Sequence, residues 1–438
     1  MAGLFVACVA VTAAASTAAA STPDAIIAAL QQVATEQSAK YNMSIALAFH
    51  QPSTSADPLA VAAGFTDSGL GLGTPTRRAD PYDKYVWGST TKMFTAPAVL
   101  QLVERGVVGL DDPCAKHIDP ILQQLNGTTL ASSLGADVAS VTIRQLLHME
   151  SGVRDYDNDN YTRAQFADRA HEFGPVETLG FVEPGLRFPA GSRQSYCSAN
   201  YVLLGLVLAR HWHDQQGAGA AWSWQAYDQR TVIPSALRAL FPNSTFADAK
   251  PCSAWTPVHG FMGHYEGSDL PAQDVWDVSC VGGWTGGNYV GSVSDVARYT
   301  YDLYSVGGPV VSAASQALLT NFTAAGGGSG GGHSDGGFKF YGMGTFSLDW
   351  SIGDGEGYGH VGDTYGYQSQ TTFFPAHDFV LTVATNVETT SQAQPADATC
   401  VGYHAVLAAM QGTPPPTCTF NVPHHFIGTC NCTSASAA

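Results

Sequence analysis

The stretch WGSTTKMFTAPAVLQLVERGVVGLDDP, residues 87–113, reads as an apolar helix with a lysine in its first turn. Met93, Phe94, Ala96, Ala98, Val99, Leu100, Leu102 and Val103 would bury most of its circumference. Lys92 must then either snorkel to water or be held inside for a purpose. Ser89 stands three residues before it, and positions i and i+3 share one helix face. A serine hydroxyl is a weak nucleophile until a base takes its proton. A lysine becomes that base when desolvation and neighbouring charge lower its pKa. A helix start also presents N–H groups where an oxyanion would form. Of the six lysines in the chain, only Lys92 has a serine three residues before it. Taken alone, the pair is equally an N-cap serine beside a snorkelling lysine. Pro97 removes one backbone hydrogen bond and is expected to kink the helix beyond the Ser89–Lys92 turn.

The chain around this stretch is that of a folded globular protein, with 45% hydrophobic and 13% charged residues. Its 438 residues suit one large domain or two intimately associated ones. Nineteen basic against 36 acidic residues leave a net charge of −17. Nucleic acid and anionic membrane surfaces both need basic patches and are excluded as main partners.

Residues 1–20 are apolar and then rich in small residues, with A-x-A-like sites near Ala18–Ala20, although no Lys or Arg precedes the apolar run. They read as a secretory signal peptide or, failing that, an alanine-rich disordered start. No later apolar run is long enough to span a membrane. Removing Cys8 with the signal leaves Cys114, Cys197, Cys252, Cys280, Cys400, Cys418, Cys430 and Cys432. An even number in an exported chain favours disulfides of undetermined pairing. Six N-x-[ST] sequons, at Asn42, Asn126, Asn160, Asn243, Asn321 and Asn431, point to glycosylation and a secreted or secretory-lumen location.

TPDAIIAALQQVATEQSAKYN reads as an N-terminal helix, followed by short strands in SIALAFHQP and PLAVAAGFTDSG. The middle is helical, including VTIRQLLHME and ANYVLLGLVLARHW, and Ser294 is the expected cap of a helix in GNYVGSVSDVARYTYDLYSVG. Strands return in FKFYGMGTFSLDW, GYGHVGDTYGYQSQTTFFP and FVLTVATNVE, before a closing helix in TCVGYHAVLAAMQG. The fold class is therefore α+β, an antiparallel sheet built from both chain ends with a mostly helical middle. The expected organisation is signal 1–20, main domain 21–411 and a Pro/Cys-rich tail, 412–438, tied down by disulfides. The segment AAGGGSGGGHSDGG (324–337) reads as a flexible loop and lacks the Gly-Lys-Ser/Thr ending of a phosphate loop.

Residues from Trp87 onward resemble the β-lactamase-related serine hydrolases: class C β-lactamases, D-alanyl-D-alanine carboxypeptidases, D-aminopeptidases and related esterases. Two further motifs of that family have counterparts, in FPAGSRQSYCSANYVLLG (188–205) and GYGHVGDTYGYQS (357–369). TIRQLLHMESGVRDY (142–156) and GSVSDVARY (291–299) agree more loosely, so the likeness covers roughly residues 25 to 410. The resemblance implies a β-lactamase/transpeptidase-like fold and a serine acyl-enzyme. It casts Ser89 as nucleophile, Lys92 as base and Tyr196 as proton shuttle. Ser198, His360 and Gly362 fall at substrate-binding positions. The N–H of Asp363, with that of Ser89, falls at the oxyanion hole. A small-molecule or peptide substrate is implied, and no metal or organic cofactor.

Ser198 stands where such enzymes usually carry Asn, and His360 where many carry Lys. A neutral imidazole holds a substrate carboxylate less strongly than an ammonium does, which leans toward peptides, amides or esters rather than β-lactams. Asp363 must turn its carboxylate away for its N–H to serve. These departures also admit a catalytically weak member acting as a binding or self-assembling protein. Cys197 reads as structural, either a buried thiol or a disulfide partner. The pairs HWHD (211–214) and PHHF (423–426) read as solvated histidines, and His148 as a loop-ordering residue. Trp87 reads as core or cleft wall; Trp284 and Tyr289 could also line a pocket.

Overall fold

The computed structural model describes residues 23–217, 222–248, 252–263, 270–322, 341–349, 355–389 and 393–419. The signal-like start, the segment 324–337, PHHF, Asn431, Cys430 and Cys432 lie outside them.

A six-stranded antiparallel sheet joins the two chain ends, as expected. Its strands are β1 (Ile45–His50), β2 (Leu59–Ala63), β3 (Phe346–Ser347), β4 (Tyr358–Thr364), β5 (Tyr367–Phe374) and β6 (Phe379–Thr385), in the order β3-β4-β5-β6-β1-β2. Leu47 pairs with Val383 across β1 and β6, at the seam between the ends. Alternation sorts the faces. Ile45, Leu47, Phe49, Phe379, Leu381 and Val383 pack under helices α1 (Pro23–Tyr41) and α6 (Ala393–Gln411). The smaller Ala46, Ala48 and Ala384, with Val380, face the main core and the helical middle. Of FKFYGMGTFSLDW, only Phe346–Ser347 is strand among the described residues.

The opening stretch forms a 3₁₀ turn, Gly88–Thr91, running into helix α2 (Lys92–Glu104). Pro97 has no N–H for the carbonyl of Met93 four residues back, and Tyr299 Oη donates to that oxygen at 3.3 Å. Helix α4 (Ala199–Asp214) crosses behind α2, with α3 (Ala115–Asn126) beside it. The cap of helix α5 (Val293–Tyr304) is Ser292, not Ser294: Ser292 Oγ accepts the N–H of Asp295. Thr142 and Gln145 form a reciprocal capping box on the short helix Ile143–Leu147, which ends at His148.

Cys252–Cys280 and Cys400–Cys418 are disulfides, the second fastening the start of the tail to α6. Cys114 and Cys197 are buried outside these bonds. Among the described residues no helix is long and apolar enough to cross a membrane. Asn42, Asn126, Asn160 and Asn321 are exposed, and Asn243 is half-buried.

Candidate active site

Three segments distant in sequence hold the Ser89 turn. A short strand, Tyr289–Gly291, pairs with Tyr85–Val86, and Trp87 continues the pairing through its N–H to Tyr289 O (2.9 Å) and its Nε1 to Gly291 O (2.9 Å). Thr91 Oγ1 donates to Gly88 O and accepts the N–H of Tyr289, while Thr95 Oγ1 donates to Thr285 O. Strand β4 closes the other side. A Cβ on Gly362 would lie 1.9 Å from Trp87 O, and one on Gly88, at φ 50°, would lie 2.4 Å from Asp363 O. Only glycine at both positions lets the strand backbone reach the turn. Gly88, Thr90, Thr91 and Lys92 are buried there, and Ser89 keeps partial exposure.

Lys92 is fully buried and does not snorkel. Its Nζ lies 2.8 Å from Ser89 Oγ, 2.9 Å from Gly286 O and 3.4 Å from Ser198 Oγ. Burial pulls its pKa down to about 7, against the opposing fields of Asp155, Asp157 and Cys197. In its neutral form, about half of the population at pH 7, the amine can donate to Gly286 O and Ser198 while accepting the proton of Ser89. Gly286 sits in the 3₁₀ turn Trp284–Gly286, and Trp284 and Tyr289 are core residues rather than pocket lining.

Tyr196 lies against this group, with Lys92 Nζ 5.0 Å from its ring centre. Burial pushes its phenol well above the ordinary value, and its interaction with the Ser89 hydroxyl partly opposes that rise. Ser198 precedes α4, and Asp155 sits beneath it, accepting the N–H of Ser198 (2.6 Å) and of Ala199 (3.1 Å) at the positive end of the helix. Asp157 donates its N–H to Asp155 Oδ1 (3.4 Å), and its own carboxyl is pushed up by burial and by Asp155 and Asp363. Asp363 turns its carboxylate to Gln368 Nε2 (3.2 Å).

His360 differs from its expected place. It has no exposed surface, so its ring does not meet the cleft as a substrate ligand would. Nε2 lies 3.0 Å from Tyr341 Oη, and Nδ1 contacts the Val361 carbonyl. A carbonyl only accepts, so Nδ1 carries the proton and Nε2 accepts from Tyr341. Burial and the nearby Lys92 hold the imidazole neutral, far below its ordinary pKa.

The structure thus brings Ser89, Lys92, Tyr196, Ser198 and the Gly362–Asp363 backbone together and turns His360 inward. Sequence reasoning missed Asp155, Asp157, Gly286 and Tyr341. Among the described residues no group of three or more His, Cys, Asp and Glu is arranged to hold a metal. His211 of HWHD is half-buried rather than solvated; its Nε2 meets His117 Nδ1 (3.1 Å), and His117 Nε2 meets Asp112 (2.9 Å).

The same architecture recurs in solved structures. A D-stereospecific amidohydrolase from Streptomyces sp. superposes with a TM-score of 0.63 at 19% identity, over 88% of this chain and 99% of that one. A D-amino acid amidase from Ochrobactrum anthropi SV3 gives 0.64 at 16%, over 88% and 99%. An octameric penicillin-binding protein homologue from Pyrococcus abyssi gives 0.59 at 21%, over 89% and 78%. In sequence, Protein flp of Staphylococcus aureus is 29% identical over 131 residues, which are 30% of this chain and 24% of that protein's length. Beta-lactamase-like protein str5 of Strobilurus tenacellus is 28% identical over 144 residues, 29% of this chain and 50% of that protein. The family model for Beta-lactamase matches residues 59–402, nearly four-fifths of the chain, and with the fold described above this makes the chain a member of the beta-lactamase family.

Proposed function

We propose that the protein is a serine hydrolase that forms an acyl-enzyme at Ser89, acting on peptide, amide or ester substrates. The observation that carries this reading is the buried Lys92 amine, 2.8 Å from the only hydroxyl of its turn left partly exposed. Lys92 takes the proton of Ser89 as Oγ bonds to the substrate carbonyl carbon. The resulting oxyanion is stabilised by the N–H groups of Ser89 and Asp363. The bond to the leaving group then breaks, and Lys92 and Tyr196 return the proton to it. Water, deprotonated by the same amine, attacks the ester and frees Ser89. Gly286 O and Ser198 Oγ hold the amine so that its lone pair faces Ser89.

The amide-cleaving names of the structural neighbours favour substrates bearing a D-configured acyl residue. Disulfides, exposed sequons and the signal-like start support a secreted, glycosylated protein. A binding-only role draws no support from the two departures that raised it: Ser198 contacts Lys92, and the Asp363 carboxylate is engaged by Gln368. The test is a panel of D-amino acid amides, esters and nitrocefin, with fluorophosphonate labelling, on wild type and Ser89→Ala. Turnover and labelling that vanish in the variant are expected; labelling retained by Ser89→Ala refutes the assignment.

A further inference from the structure

We propose that this site selects acyl substrates whose leaving side carries no free carboxylate, because His360 is committed to the protein interior and the groups packed behind the Lys92 amine are themselves carboxylates. The proposal rests on the acyl-enzyme reading above. A substrate carboxylate needs a cation or free donors opposite it. His360 stands at the motif position that would supply one, yet both its nitrogens are used: Nδ1 donates to Val361 O and Nε2 accepts from Tyr341 Oη. The ring is enclosed by Tyr341, Phe346 and Tyr196, with centres 5.7, 4.7 and 6.3 Å away. Protonating it would reverse the Tyr341 hydrogen bond and bury a charge beside Lys92.

His360 is therefore a positioning residue. Its Nδ1–H holds the carbonyl of Val361, the peptide that leads into Gly362 and Asp363, where β4 touches the Ser89 turn. Nor do neighbouring cations replace it. Among the described residues, Arg154, next to Asp155 in sequence, pairs with Glu183 at 3.6 Å, and the Arg193 guanidinium lies 4.5 Å from the Phe188 ring centre. What stands near Lys92 is Asp155 under Ser198 and Asp157, whose N–H donates to Asp155. Above neutral pH, where Lys92 is uncharged, these carboxylates disfavour an incoming anion, by on the order of tenfold.

The experiment compares benzoyl-D-alanyl-thioglycolate with benzoyl-D-alanyl-thioglycolamide, thioesters that differ in a single carboxylate and both release a thiol. The carboxamide is expected to show at least tenfold higher kcat/KM, with release abolished in Ser89→Ala. Equal rates, or preference for the carboxylate, with hydrolysis still dependent on Ser89, overturn the proposal and leave the hydrolase reading standing. Release from neither thioester overturns both. Asp157→Asn is expected to shrink the preference at least threefold; an unchanged ratio overturns the role given to the carboxylates. His360→Asn, whose amide can still donate to Val361 O, is expected to keep at least a third of kcat. His360→Leu is expected to lose tenfold in kcat with KM within twofold. A selective rise in KM for the carboxylate substrate in both His360 variants would show that the imidazole binds the anion and would refute the proposal.

Discussion

Lys92→Met replaces the buried amine with an uncharged chain of similar length, and its effect on stability should depend on pH in a way the structure specifies. In the native protein the pKa falls from 10.5 to about 7, chiefly through burial. At about 1.4 kcal/mol per factor of ten, the charged amine is disfavoured by about 5 kcal/mol relative to an unfolded lysine. The unfolded chain binds the extra proton between pH 7 and 10.5, so wild-type stability rises with pH across that range and the full cost is present below it. The variant has no such term. Its stability relative to wild type should therefore fall by about 2 kcal/mol between pH 7 and pH 9. The unpartnered Gly286 carbonyl costs the variant about 1–3 kcal/mol at every pH, which offsets the curve without tilting it. Urea unfolding of both proteins at pH 7, 8 and 9 measures the difference. Over the same range kcat/KM of wild type should climb to a plateau with an apparent pKa near 7, since only the neutral amine accepts the Ser89 proton. A stability difference independent of pH, or activity that falls from pH 6 to 8, would refute the idea that Lys92 is a desolvated base.

Asp155→Asn removes a negative charge that supports protonated Lys92, so the acid limb of the pH–activity profile should move to lower pH. Loss of the charge-assisted bonds from Ser198 and Ala199 should also cost about 1–3 kcal/mol in urea unfolding. Gly362→Ala drives a methyl into Trp87 O and Ser369 Oγ, and should lower kcat/KM by about two orders of magnitude or more while the far-ultraviolet spectrum stays native. Cys252→Ser opens a loop of 28 residues and should destabilise the protein by about 3.5 kcal/mol, read as a lower Tm that reducing agent does not lower further by the same amount.

The Ser89–Lys92 pair was legible because both residues lie on one turn, where spacing alone sets their approach. The two-ended sheet was legible because its C-terminal strands are rich in β-branched and aromatic residues, as in YQSQTTFF on β5 and FVLTVAT on β6. Gly286 was not, since it acts through a carbonyl that every residue possesses. Asp155 is one of several acids in RDYDNDN, and only the arrival of Ser198 from α4 singles it out. The cap of α5 was recoverable: Ser292 stands three residues before Asp295, the spacing of a capping box, whereas Ser294 does not precede the helix.

His360 shows where motif reading stops. A motif records which residue occupies a position, while the direction of a side chain depends on partners supplied elsewhere in the chain. Tyr341 comes from a different segment, just before β3, and its hydroxyl draws the imidazole away from the cleft. Gly362 is the opposite case. Its identity is demanded by the approach of backbone to backbone, Trp87 O to β4, so the motif glycine is readable as geometry before any substrate is considered. The same closeness explains why the opening stretch decides the fold: a turn that must touch a strand some 270 residues later can form only when both chain ends share one sheet.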